Sequence, residues 1–190
     1  MIGAITAGLF STGTAASTNS YESIATVTVG AGGQSSVSFT GISGSYSHLQ
    51  VRAIARDLRA STWIDTLWLY CNSDTTGSNY YQHQLVGGGS SASAAANVGV
   101  NNYGMPIGLT TATNVASAYA PNIIDILDYS KTTKYKTFRN LNGVEDNTNG
   151  SLRFVSGLWM STAAITSLTF QGDSGNFAQY SSFALYGIKG

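Results

Sequence analysis

Charge is what this chain has least of. Only 9% of its 190 residues are Asp, Glu, Lys or Arg, against roughly a quarter in an average soluble protein. Nine basic residues balance nine acidic ones, so no net field steers the chain to nucleic acid or to an anionic membrane. There is one cysteine, Cys71. An intrachain disulfide is therefore excluded, and the fold does not depend on an oxidising compartment. One cysteine and two separated histidines, His48 and His83, also cannot build the usual zinc sites. No segment of ten or more residues carries a 3.6-residue period, which argues against helices. No apolar run is long enough to span a bilayer. The opening "MIGAITAGLF" is apolar but short, it lacks the basic flank of a secretory signal, and "TAAS" at 14–17 makes a poor cleavage site.

What is present is glycine (22 residues), many serines and threonines, and tyrosine. A neutral surface of this composition has weak defence against association. It suits either burial against other protein copies or adhesion through hydroxyls and aromatics. The length fits one domain with a substantial core.

From Glu22 onward the pattern has period two. "ESIATVTVG" alternates Ala25, Val27 and Val29 with Ile24, Thr26 and Thr28, and "SSVSF" returns after "AGGQ" with Val37 and Phe39 inward, a hairpin signal. "HLQVRAIAR" is the cleanest strand, with Leu49, Val51, Ala53 and Ala55 on one face. "WIDTLWLY" is covered on both faces. Further strands follow in "NYYQHQL", "NIIDILDY", "KYKTFRNL", "LRFVSGLWM", "AITSLTF" and "SFALYGIKG", separated by Gly/Asn/Ser turns. Many short strands predict an all-β fold: an antiparallel, jelly-roll-like β-sandwich over 21–190, whose last strand pairs in the interior of a sheet. Residues 86–120, poor in charge and bulk, read as a low-complexity lobe with one or two weak strands. Residues 1–20 read as an extended arm, with Met1, Ile2, Ile5, Leu9 and Phe10 as its anchoring side chains.

Catalytic patterns are missing. A Ser-His-Asp triad needs three partners, and "GISGS" is not a nucleophile elbow. Asp125 and Asp128 in "DILD" fall on opposite faces of a strand, unlike the facing carboxylates of a glycosidase. "NSDTTGSN" and "EDNTNG" lack the alternating carboxylates of a calcium loop, so Asp74 and Asp146 read as turn residues. "VGGGSS" lacks the lysine of a phosphate-binding loop. Lys131, Lys134, Lys136 and Arg139 read as a solvated strand face rather than a nucleic-acid site. No catalytic residue, metal ligand or cofactor is expected. Trp63, Trp68 and Trp159 read as core. Tyr80, Tyr81, Tyr103 and Tyr119 flank Gly/Asn/Ser loops and are the candidates to face a ligand.

Five strings, "SYESIATVTVGAGGQSSVSFTGI", "YSHLQVRAIARD", "DILDYSKTTKYKTFRNLNG", "SGLWMSTAAITSLTF" and "NFAQYSSFALYGIKG", resemble a family of small structural proteins of tailed bacteriophages, common in aquatic phages including those of cyanobacteria. The resemblance covers nearly the whole chain from about Ser20. It implies a virion structural protein, assembled in the host cytoplasm, with no assigned catalytic role. A capsid decoration (cement) protein is the first expectation, forming a homotrimer and contacting the major capsid protein. A tail-fibre or receptor-binding module recognising a host glycan is the alternative. Neither nucleic acid nor membrane is an expected partner.

Overall fold

The computed structural model describes residues 20–98, 104–112, 117–146 and 148–190. The expected arm residues Met1, Ile2, Ile5, Leu9 and Phe10, and Tyr103, lie outside the described residues.

Among the described residues, twelve strands form two antiparallel sheets. In chain order they are β1 (Tyr21–Thr28), β2 (Ser36–Phe39), β3 (His48–Ala55), β4 (Ile64–Cys71), β5 (Tyr80–Gly88) and β6 (Ser91–Val98), then β7 (Met105–Thr111), β8 (Ala120–Leu127), β9 (Lys136–Glu145), β10 (Gly150–Trp159), β11 (Leu168–Gly172) and β12 (Ser182–Ile188). The larger sheet has eight strands in the order β1-β12-β3-β8-β9-β10-β5-β6, and the smaller has four in the order β2-β11-β4-β7. The expected all-β sandwich is thus present, with sheets of unequal width. The larger sheet overhangs the smaller beyond β7.

The alternation of side chains builds the core. Leu49, Val51, Ala53 and Ala55 of β3 all point inward and are buried. Opposite them stand Val37 and Phe39 of β2, Leu67 and Leu69 of β4, and Leu168 and Phe170 of β11. Phe183 of β12 ties the layers together, its ring 5.4 Å from that of Phe170 and 5.0 Å from that of Phe177. β12 lies between β1 and β3, so the chain's last strand is interior, as its two-sided apolar pattern predicted. Cys71 is buried and free, and burial pushes its thiol pKa well up.

Two sequence expectations are revised. β1 and β2 do not form a hairpin: β1 pairs with β12 and β2 with β11, in different sheets. The intervening turn carries the chain across the sandwich. Gly32 and Gly33 there have φ of +92° and +76°, and a Cβ on Gly33 would stand 2.7 Å from the Phe177 carbonyl oxygen, so both the conformation and the space require glycine. The 86–120 stretch contains two strands, as anticipated, but they serve different layers. β6 extends the large sheet, whereas β7 completes the small one and buries Met105 and Ile107.

Candidate interaction face

Over part of β8, β9 and β10 the usual polarity of a sandwich is inverted. Asn122, Asn140, Asn142 and Ser151 point inward and are buried. Ile123, Leu141, Leu152 and Phe154 point outward and are exposed. Register aligns the outward residues. Ile123 is opposite Leu141, Leu141 opposite Phe154, Phe154 opposite Leu85 and Leu85 opposite Ala94. One apolar row therefore crosses five strands, about 19 Å at normal strand spacing. Ile54 and Leu152 extend it, and the six large side chains are each 41–62% exposed. A groove of about 510 Å³ runs along it between Leu85, Phe154, His83, Ser156 and the alanines of β6.

A polar row borders the stripe on one side. Gln50 donates to Asp125 at 2.7 Å, and Arg139 donates to Ser156 at 2.9 Å. An apolar centre with a hydrogen-bonded rim is the anatomy of a protein interface. The outer edge of β6 adds a second adhesive feature. Its sequence, SASAAANV, has neither charge nor proline, and no described strand pairs with that edge, so it lacks the usual protection against edge pairing.

The tyrosines predicted to face a ligand do not form a site. Tyr80 is 1% exposed, which corrects its assignment. It belongs to the core, where its hydroxyl donates to the Asp74 carbonyl and accepts from the Cys71 N–H. Tyr119 is half-buried and donates to the Gln179 carbonyl at 2.7 Å. Tyr81 is half-buried on the outer face, in the row next to the polar one. What sequence reading missed is the pair Tyr21 and Tyr186, stacked at 4.7 Å across β1 and β12 with the Arg52 guanidinium 5.7 Å from the Tyr21 ring.

The loops once compared with calcium sites are turns. Burial works to raise the Asp74 pKa, but N–H donors from Trp159, Asn79 and Thr76 prevail and hold it below its usual value. Asp146 accepts from Thr148 and Asn149 in the same manner. The basic hairpin is not one solvated face. Lys134 pairs with Asp128 at 2.5 Å, but Lys136 is buried, and its ammonium donates to the Lys134 and Thr162 carbonyls. Desolvation lowers its pKa. His48 accepts from the Asp128 N–H, and Asp125 is taken up by Gln50, so no triad or facing acid pair forms around them.

One acidic pair has no signature in the sequence. Asp57 and Asp65 are both buried beside Arg59. Asp65 accepts from Arg59 Nη1 at 2.6 Å and from the Ser174 N–H at 2.9 Å. Asp57 accepts from the Thr110 hydroxyl and the Arg59 N–H. Burial, followed by the hydrogen bond shared with Asp65, pushes the Asp57 pKa up to about 7. The pair ties β4, β7 and the 172–176 turn together.

No family model, curated protein or solved structure matches the chain, so the case for its function rests on this outward apolar row.

Proposed function

We propose that the protein is a non-catalytic building block that associates with copies of itself through the outer face of β8, β9, β10, β5 and β6. The observation that carries this reading is the local inversion of polarity where three neighbouring strands turn Ile123, Leu141, Leu152 and Phe154 outward. Water-facing Leu, Ile and Phe in register on a sheet this wide are costly unless covered. From β3 to β6 the face spans five strand spacings by strands of eight residues, on the order of 24 Å by 27 Å, or roughly 650 Å². That is close to the roughly 800 Å² per partner of a standard stable interface.

A homotrimer of such units fits the role that the resemblance to tailed-phage proteins implies. The protein would be a capsid decoration protein, gripping the major capsid protein through residues 1–20. Counting its copies per particle by mass spectrometry tests the location: hundreds support the capsid, and a handful move it to the tail. The stacked Tyr21 and Tyr186 beside Arg52 favour the second role, a tail module whose aromatic platform stacks on a host glycan.

Sedimentation velocity tests the self-association. Wild-type protein should be oligomeric at micromolar concentration. The double variant Leu85→Ser, Phe154→Ser should be a folded monomer, because both side chains already face outward in the protomer. A monomeric wild type at 100-fold higher concentration would sink the proposal.

A further inference from the structure

The polar side chains that the inversion sends inward meet at one place. Asn122, Asn142 and Arg153 lie in direct register across β8, β9 and β10. They sit where the larger sheet passes β7, the last strand of the smaller one. There Thr66, Gln82, Gln84, Pro106, Gly108 and Arg153 line a polar cavity of about 40 Å³. That is room for two or three water-sized groups at ~15 Å³ each. Gly108 lets the Asn122 and Asn140 amides pack against the β7 backbone beside it, because a Cβ there would collide with both.

The wall of this cavity is unbalanced. Gln82 Oε1 and Arg153 Nε, both on its lining, are buried without a hydrogen-bond partner. Native proteins leave few such atoms unfilled. Arg153 adds a charge that nothing answers. All nine acidic residues lie among the described residues, and none forms an ion pair with it. Its Nη1 reaches Gln84 Oε1 only at a long 3.5 Å. Desolvation lowers its pKa. Water would fill the hydrogen bonds but would supply no counter-charge.

We infer that this cavity binds a carboxylate head group, held by Arg153. The two oxygens of a carboxylate take two of those positions and leave a third for a neighbouring hydroxyl. The planar fork of arginine fits two carboxylate oxygens at once, which a spherical anion cannot exploit. Gln82 Oε1 remains as an acceptor for a hydroxyl beside the carboxylate, as in a hydroxy acid or a sugar acid. Gln84 and Arg153 are part-exposed, so the head group enters from that side while the rest of its molecule stays outside.

The test uses the full chain and three sodium salts at equal ionic strength: formate, galacturonate and chloride. Formate should raise the melting temperature saturably, by about 3–5 °C at tenfold excess over its Kd, and chloride should not. Tighter binding of galacturonate than of formate identifies a sugar acid as the source; formate binding alone identifies a small free carboxylate. Arg153→Gln should abolish the saturable response. Should that variant fail to fold, Asn142→Asp decides. It places a carboxylate opposite Arg153 within the sheet, so it should melt no lower than wild type and lose the formate response. A formate response equal to that of chloride, or one that survives Asn142→Asp, overturns the site and leaves ordered water as its only occupant.

Discussion

Replacing Asp57 by Asn removes a titrating group from a place where the fold favours its protonated form. In the unfolded chain Asp57 titrates near the usual ~3.9; in the native state burial and the bond shared with Asp65 push it up to about 7. Between those values the native state holds a proton that the unfolded state has lost. Stability from this group is therefore full below about pH 4, falls as pH rises toward 7, and is level above. The full shift of about three units corresponds to roughly 4 kcal/mol. The exposed Arg59 side chain beside the pair lets solvent screen part of it, and about 2 kcal/mol is the working figure. Asparagine mimics the protonated acid, since its amide can donate to Asp65 and still accept from Thr110 or the Arg59 N–H. At pH 5 variant and wild type should melt within a degree or two of each other. At pH 8 the variant should gain about 4–8 °C relative to wild type, using ~2–4 °C per kcal/mol for a domain of this size. Calorimetry on both proteins at the two pH values checks this. An unchanged difference between pH 5 and pH 8 would refute the shared proton.

Packing of β7 gives a second prediction. A Cβ on Gly157 would collide with the Met105 sulfur, so Gly157→Ala should destabilise by about 1–3 kcal/mol through overpacking, read from the urea midpoint; restoration by Gly157→Ala with Met105→Val would confirm the cause. Tyr80→Phe leaves the ring in place but removes the hydroxyl bonded to Cys71 and Asp74. It should cost about 1–3 kcal/mol, because a buried N–H loses its acceptor, and an unchanged midpoint would mean that water replaces the hydroxyl.

Period-two alternation made the sandwich legible, and it did so best where one face is wholly apolar. In β3 the sequence HLQVRAIA separates inside from outside without ambiguity, and every inward residue is buried. The same rule predicted that β12, apolar on both faces, would be interior. It failed for partner choice. Nothing local in "TVTVGAGGQSSVSF" distinguishes a hairpin from a crossing between sheets; the choice depends on β11 and β12, which lie far along the chain from their partners β2 and β1. The tyrosines were misjudged for a related reason. A Gly/Asn/Ser flank says that a loop is near, not which way a ring points, and Tyr80 begins a strand with its ring inward.

The sequence by itself determined the class of fold, the absence of disulfides, the want of any net charge and the weak defence against association, because each follows from composition or from a two-residue period. Only the tertiary structure decided that Leu141 and Phe154 face outward while Asn142 and Arg153 face inward. A strand such as KTFRNLNGVE carries both kinds of face at once, with Phe138 and Val144 inward and Leu141 outward. Register fixes which set of side chains turns toward the second sheet, and that register is set by eight strands together rather than by any one of them.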